Sequence, residues 1–326
     1  MQVLDAQFGR NENQMSIVDV IIGTYNHERF IAQAIESVLM QKTDFDVQIH
    51  IADDCSTDKT QDIIMSYYLK YSDKINIALD TKNRGLQSKD RKFLQLLRES
   101  KAEYIALLEG DDYWIDPYKL QKQVNFLEGN PEYVICYHDA LVVDSSGKLV
   151  KDSILPDDMK RDFSDEELRR TAWVSTLSMC FKNVIKGFPE EFYKVYSVDK
   201  FLTCLLGCYG KGKFIESIEP AVYRVHSDGS FSSLSNNKKY FFLTETYAWL
   251  CRYYRRTNRI EDAEYHKKIF ISRLETILEY SSLNPSEEHA DIISQLFTNY
   301  MDILDDNNAE RLKTAFKNKN QFLQKL

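Results

Sequence analysis

Tyr104-Ile105-Ala106-Leu107-Leu108-Glu109-Gly110-Asp111-Asp112-Tyr113-Trp114 is an apolar run that ends abruptly in three carboxylates. Short, continuous and bounded by a glycine and charges, it reads as a strand buried on both faces. The carboxylates then sit at the strand's C-terminal edge, which is where open α/β sheets bind ligands. An Asp pair at that edge can hold a hard divalent cation against a diphosphate. Asp111 or Asp112 could instead serve only to cap the next helix, but Asp116-Pro117 already supplies an N-cap residue and a proline for the first helical position.

Upstream, Ile17-Val18-Asp19-Val20-Ile21-Ile22-Gly23 is a first strand and Thr24-Tyr25-Asn26 the turn that follows it. A helix over residues 29–40 carries Ile31, Ala34, Ile35, Val38 and Leu39 on one stripe. Val47-Gln48-Ile49-His50-Ile51-Ala52 is a second strand, broken by Asp53-Asp54-Cys55-Ser56-Thr57-Asp58. Ser56 and Thr57 are placed to cap the next helix, which carries Ile63, Ile64, Tyr67 and Tyr68. A third strand, Ile75-Asn76-Ile77-Ala78-Leu79, turns through Asn83-Arg84-Gly85-Leu86 into a helix with Phe93, Leu94, Leu96 and Leu97. This β-α-β-α order predicts a parallel sheet with right-handed crossovers.

Downstream, a helix with Leu120, Val124 and Leu127 stops at Gly129-Asn130-Pro131, and residues 133–143 read as one strand. The polar stretch from Asp144 to Arg170 reads as a solvated loop, with a mobile flap as the alternative. Residues 173–181 read as another strand, followed by a helix near 199–206 and short strands around Phe214-Ile215 and Ala221-Val222-Tyr223. From Lys238 onward the spacing of Tyr, Phe, Leu and Ile is helical, punctuated by Pro285, which predicts a small helical domain packed on the first. Arg252-Tyr253-Tyr254-Arg255-Arg256 within it reads as a solvated helix face with the rings folded inward, or else as a contact for a membrane surface or an anionic acceptor.

The chain has 326 residues, 43% hydrophobic and 13% aromatic, enough for a large α/β domain with an appendage. A formal net charge of -8 argues against non-specific nucleic-acid binding, which rewards clustered Lys and Arg. The first fourteen residues are polar rather than leader-like, and no apolar run approaches membrane-spanning length, so the expected location is cytoplasmic, with the inner membrane face as a further option. Six cysteines without a CxxC pair read as reduced, mostly buried thiols, and Cys204 with Cys208 lacks the histidine a zinc site would want.

Asp53-Asp54 and Asp111-Asp112 both follow buried strands, so a parallel sheet sets the two clusters at one edge, within reach of one ligand. There Asp54 can accept the imide N–H of uracil, Tyr25 can stack on or bracket the base, and Asp111-Asp112 can take the ribose and a metal on the diphosphate.

Val20-Ile21-Ile22-Gly23-Thr24-Tyr25-Asn26, Ile51-Ala52-Asp53-Asp54-Cys55-Ser56-Thr57-Asp58 and Glu109-Gly110-Asp111-Asp112-Tyr113-Trp114 with Asp116-Pro117 together resemble the family 2 glycosyltransferases of the GT-A fold, over residues 17–233. The resemblance implies a nucleotide-diphospho-sugar transferase domain, α/β with a mostly parallel central sheet, over 16–236. It is preceded by a segment 1–15 and followed by an all-α part over 237–326. By the same resemblance Thr24, Tyr25, Asn26, Asp54 and Asp111 bind the nucleotide sugar. Asp112 holds a divalent metal, Mn²⁺ or Mg²⁺. Tyr223-Arg224-Val225-His226-Ser227-Asp228-Gly229-Ser230 is similar to a segment whose histidine approaches the metal or diphosphate, which adds His226 as a ligand. A later Asp is the catalytic base in the family, matched here by Asp199, although Val198 stands where relatives often have Gly. The arginine expected after Gly85 is displaced, leaving Lys89 and Arg91 as alternatives for the diphosphate.

The activity so implied is metal-dependent, inverting transfer from a nucleotide sugar, most simply a UDP-sugar, to a hydroxyl of a saccharide, a lipid-linked glycan or a glycoprotein. Two alternatives are a sugar-phosphate nucleotidyltransferase, whose Gly-rich basic loop is not supplied by Gly23-Thr24-Tyr25-Asn26-His27-Glu28, and a non-catalytic scaffold built on a degenerate transferase domain.

Overall fold

The computed structural model describes residues 17–85, 88, 90–227, 229, 233–283, 287–304 and 308–310. Strands β1 (Val18–Thr24), β2 (Val47–Asp53), β3 (Ile75–Leu79) and β4 (Tyr104–Glu109) alternate with helices α1 (Ile31–Leu39), α2 (Thr60–Lys70) and α3 (Lys92–Glu99). All four strands are parallel, and β1 lies between β2 and β4. In β4, Tyr104, Ala106 and Leu108 join the core beneath α1, while Ile105 and Leu107 join the opposite core with Leu94 and Leu97 of α3. Burial on both faces is why the run is continuously apolar.

After α4 (Lys119–Gly129) the expected single strand is two, β5 (Tyr133–Tyr137) and β6 (Ala140–Asp144). The break falls at His138-Asp139, where the Asp139 carboxylate accepts the backbone N–H groups of Ala140 (2.8 Å) and Leu155 (3.2 Å) and so redirects the chain. β6 pairs with β7 (Leu149–Lys151) and with β10 (Ala221–Val225) in a separate three-stranded sheet. Helix α5 (Asp165–Arg170) corrects the reading of 144–170 as a loop: Ser164 and Glu167 form a reciprocal capping box at its start. Of residues 173–181 only Cys180 and Phe181 enter a strand, β8 (Cys180–Lys182), antiparallel between β4 and β5. The chain before it is a 3-10 turn, Thr176–Ser178, closed by Ser178 Oγ donating to Ser175 O at 2.8 Å. Helix α6 (Val198–Leu206) and β9 (Lys211–Phe214) complete the seven-stranded order β3-β2-β1-β4-β8-β5-β9.

Two caps differ from expectation. Asp116 does not cap α4; its carboxylate accepts from Tyr118 N (2.8 Å), Lys122 Nζ (2.7 Å) and Glu219 N (3.1 Å), tying the approach to β10 onto the end of β4. At α2 it is Asp58, not Ser56 or Thr57, whose side chain accepts a first-turn N–H, that of Thr60 at 2.9 Å.

Helices α7 (Asn236–Arg256), α8 (Ile260–Leu283) and α9 (Glu287–Tyr300) form the C-terminal part. The expected division at 236/237 falls at the start of α7, yet one buried cluster runs across it, from Ile21 and Leu107 in the sheet through Phe201 and Leu205 to Ala248, Tyr254, Phe270 and Leu296. Asp262 of α8 receives both Arg169 Nε (2.9 Å) and Arg170 Nε (2.6 Å) from α5. The basic aromatic cluster is spent internally: Arg252 pairs with Asp302, Arg256 with Glu191, and the Tyr254 hydroxyl donates to Cys204 O. Among the described residues no helix is long and apolar enough to cross a membrane.

A chain ending at Ser235 would expose Phe201 and Leu205 by removing their apolar partners in the C-terminal helices, and the cost of unburied core scales with area. It is expected to appear in the insoluble fraction, or as soluble aggregate by size exclusion. A monomeric, cooperatively melting truncation would show that the helices dock on a self-sufficient core.

Candidate functional site

Register sets the C-terminal ends of three strands level: Thr24 lies opposite Asp53, and Gly23 opposite both Ala52 and Glu109. The loops leaving β1 and β2 pass through left-handed backbone at Asn26 (φ 56°) and Cys55 (φ 60°). They are laced together, with Asn26 N–H donating to Ser56 Oγ at 2.8 Å and Thr57 N–H to Asn26 Oδ1 at 2.8 Å. An asparagine tolerates that conformation and supplies the acceptor, so Asn26 shapes the edge whatever else it does. Asp53 is fully engaged at the base of the loop by Ser56 and Gln61.

Asp54 is half-buried and accepts the backbone N–H groups of Arg84 (2.6 Å) and Gly85 (2.9 Å), fixing the turn after β3. Gly85 adopts φ 68°, which a side chain would disfavour. Each Asp54 oxygen keeps a lone pair for a ligand donor. Tyr25 is half-buried beside it in sequence at the same edge. Arg91 is buried, with Nε lacking a hydrogen-bond partner, and burial lowers its guanidinium to about 10 against the opposing charges of Asp54 and Tyr196. Lys89 lies outside the described residues.

At the end of β4, Gly110 allows a close crossing: a Cβ there would lie 2.6 Å from Thr24 Oγ1 and 3.0 Å from His27 Nδ1. Glu109 is pushed up to about 8, first by burial and then by the neighbouring carboxylates Asp111 and Asp199, against a hydrogen bond from Thr176. Asp111 Oδ2 lies 3.0 Å from His226 Nε2 and 3.6 Å from His27 Nε2. Burial would raise Asp111, but the His226 hydrogen bond and both imidazoles hold it below its ordinary value.

Asp112 turns the other way. Its Oδ1 accepts Arg224 N–H at 2.8 Å, and the group is 1% exposed. Burial, Asp111 and Glu109 raise it well above the usual range. The geometry groups His27, Asp111 and His226, whose ligand atoms lie within 4.8 Å of one another, while the expected ligand Asp112 keeps a second oxygen, Oδ2, buried without a hydrogen-bond partner. The β10 backbone engages only Oδ1 of Asp112. Arg224 braces both aspartates: it also donates to Asp111 O and Gln33 Oε1, between the rings of Phe30 and Tyr113.

Asp199 stands in the first turn of α6, its carboxyl raised by burial and lowered in part by backbone N–H groups. Ser197 occupies the N-cap position but makes no side-chain cap hydrogen bond. Lys200 pins the helix, donating to Arg170 O (3.0 Å) and Ala172 O (2.9 Å). Asp199 is close enough to Glu109 to raise its carboxyl, so the first turn of α6 lies near the edge that β1, β2 and β4 share.

Three site residues were not singled out from sequence: His27, Glu109 and Arg224. His27 directly follows the Thr24-Tyr25-Asn26 turn, Glu109 opens the acidic run, and Arg224 lies two residues before His226, so adjacency was the available signal.

The glycosyl transferase family 2 model matches residues 19–183. An uncharacterized protein of Mycobacterium tuberculosis is 33% identical over 231 residues, 71% of this chain and 64% of that protein. The chain thus spans under two thirds of the length of that relative. Among solved structures, S. aureus TarS 1-349 in complex with UDP-GlcNAc superposes with a TM-score of 0.63 at 15% identity, covering 93% of this chain and 88% of the other. The mannosyltransferase PcManGT from Pyrobaculum calidifontis, in complex with GDP-Man and Mn2+, superposes with a TM-score of 0.52 at 17% identity, covering 95% and 88%. At these identities the superpositions speak for the fold.

Proposed function

The chain belongs to glycosyl transferase family 2, and from that premise we propose that it transfers a sugar from a nucleotide-diphosphate donor, a UDP-sugar, to an acceptor hydroxyl with inversion at the anomeric carbon. It is a glycosyltransferase with a GT-A α/β fold and a helical C-terminal part. The observation that carries the donor reading is the convergence of Asp54, Asp111 and the first turn of α6 on one sheet edge.

In this reading Tyr25 and Asp54 take the base, with Thr24 and Asn26 shaping the floor and Arg91 offering a cation beside them. Asp111 and His226 would hold a divalent cation, a role that suits a carboxylate and an imidazole already in contact at 3.0 Å. Such a cation, when bound, neutralises charge on the departing diphosphate. Asp199 accepts the proton of the acceptor hydroxyl as its oxygen bonds to the anomeric carbon and the bond from that carbon to the diphosphate breaks. One base and one in-line displacement invert the configuration. The acceptor is a saccharide, a lipid-linked glycan or a glycoprotein presented on the α5 and α6 side. Six free cysteines, four of them buried, suit a reducing cytoplasmic setting.

The test is a panel of nucleotide sugars scored for divalent-metal-dependent release of nucleoside diphosphate, which a scaffold would not show. Base reading has its own check by calorimetry with UDP and GDP. Losing one charge-assisted hydrogen bond corresponds to roughly 1.5 to 3 kcal/mol, so Asp54→Ala is expected to weaken UDP by about ten- to a hundredfold and to erode its advantage over GDP. A loss equal for both nucleotides would mean that Asp54 serves only the turn at 83–85.

A further inference from the structure

We propose that His27 is a third protein ligand of the divalent cation, completing a two-imidazole, one-carboxylate set with Asp111 and His226 that selects Mn²⁺ or a similar transition ion over Mg²⁺. The proposal rests on the metal-dependent reading above and extends it to a residue and a metal class.

His27 is 5% exposed, and neither ring nitrogen has a hydrogen-bond partner. A buried imidazole left so is unfavourable unless something absent from the bare chain uses it. Its Nδ1 packs over Gly110, 3.0 Å from where a Cβ would stand, which leaves Nε2 as the atom facing Asp111 Oδ2 at 3.6 Å. His226 Nε2 reaches the same oxygen at 3.0 Å, and the two imidazoles meet edge to face with centroids 6.0 Å apart. Ligands about 2.1 Å from an ion and at right angles to each other stand roughly 3.0 Å apart, so the spacing needs little adjustment.

The ring is held from both sides in sequence. His27 O accepts the N–H groups of Phe30 and Ile31 at 2.9 Å each, starting α1, while Asn26 before it is laced to Ser56 and Thr57. Phe30 in turn packs on His226 at 4.9 Å. The position is therefore built, not incidental. The donor types bias the metal: a mixed imidazole and carboxylate set suits first-row transition ions, Mn²⁺ among them through the carboxylate, whereas Mg²⁺ prefers all-oxygen ligands and retains its waters.

The experiment is Mn²⁺ binding to the full chain with UDP present, read by calorimetry and by electron spin echo modulation, which counts nitrogens bound to the ion. Two coupled nitrogens are expected in the native protein and one in His27→Ala, with Mn²⁺ affinity falling at least tenfold and Mg²⁺ affinity little changed. His27→Asp, which restores a ligand as oxygen, is expected to recover binding and narrow the preference for Mn²⁺ over Mg²⁺. A single nitrogen in the native protein, or unchanged Mn²⁺ affinity in His27→Ala, overturns the proposal while leaving metal-dependent transfer standing. Two-nitrogen Mn²⁺ binding without turnover of any nucleotide sugar would instead remove the transfer reading and keep the site.

Discussion

Asp199→Asn is expected to lower sugar transfer by a factor of about 10² to 10⁴, the usual contribution of a general base, with UDP affinity unchanged. The substitution keeps shape and removes only the capacity to accept a proton. Its structural cost is small, since the helix-dipole benefit of a first-turn carboxylate is roughly 0.3 to 1 kcal/mol, and Lys200 anchors α6 through Arg170 O and Ala172 O regardless of residue 199. Burial raises the Asp199 carboxyl, making it a stronger base than an exposed aspartate. A base must be ionised to act, so kcat/KM should rise with pH along an acid limb displaced upward from the ordinary aspartate range, and Asp199→Asn should erase that limb. Glu191 offers no easy substitute. It is held by Arg256 at 2.7 and 2.8 Å, away from chemistry. Normal transfer by Asp199→Asn, or a product that retains the donor's anomeric configuration, would sink the assignment.

What could be read from the sequence was whatever local pattern determines. The strands β1, β2 and β4 announce themselves because burial on two faces forces continuous apolar runs, and their shared edge follows from parallel pairing alone. Residues 133–143 are equally apolar, yet the chain breaks at His138-Asp139 because Asp139 finds partners at Leu155 and Ser153, contacts that no local window contains. The capping box of Ser164 and Glu167 was legible in principle, but the surrounding charges favoured a loop, and α5 is stabilised from outside by Asp262. The helical spacing after Lys238 was plain. That it shares a core with the sheet depends on which faces meet, and spacing is silent on that. Within the site, Asp111 and Asp112 are adjacent and chemically identical, and only the arrival of Arg224 on β10 decides which one faces the histidines.

That last choice yields the sharpest contrast between neighbours. Asp111→Asn is expected to abolish metal-stimulated turnover, a loss of at least about a hundredfold, since even the outer partners of metal ligands contribute 10- to 100-fold to affinity. The asparagine keeps the 3.0 Å contact to His226 but removes the charge that draws a cation to the group. Asp112→Asn should behave differently. Its carboxyl is already raised well above the usual range by burial beside Asp111 and Glu109, and its Oδ1 accepts Arg224 N–H, which an amide oxygen can also do. That variant is therefore expected to retain metal-stimulated turnover within about tenfold of the native enzyme, because burial already disfavours the charge that the substitution removes. Chelation followed by Mn²⁺ titration separates the cases: Asp112→Asn should recover with the metal, and Asp111→Asn should not at any concentration that supports the native chain. The reverse pattern would return the ligand role to Asp112, through the Oδ2 that β10 leaves unpartnered. Equal losses in both would mean that the acidic turn acts as one unit, with Arg224 as the residue to vary next.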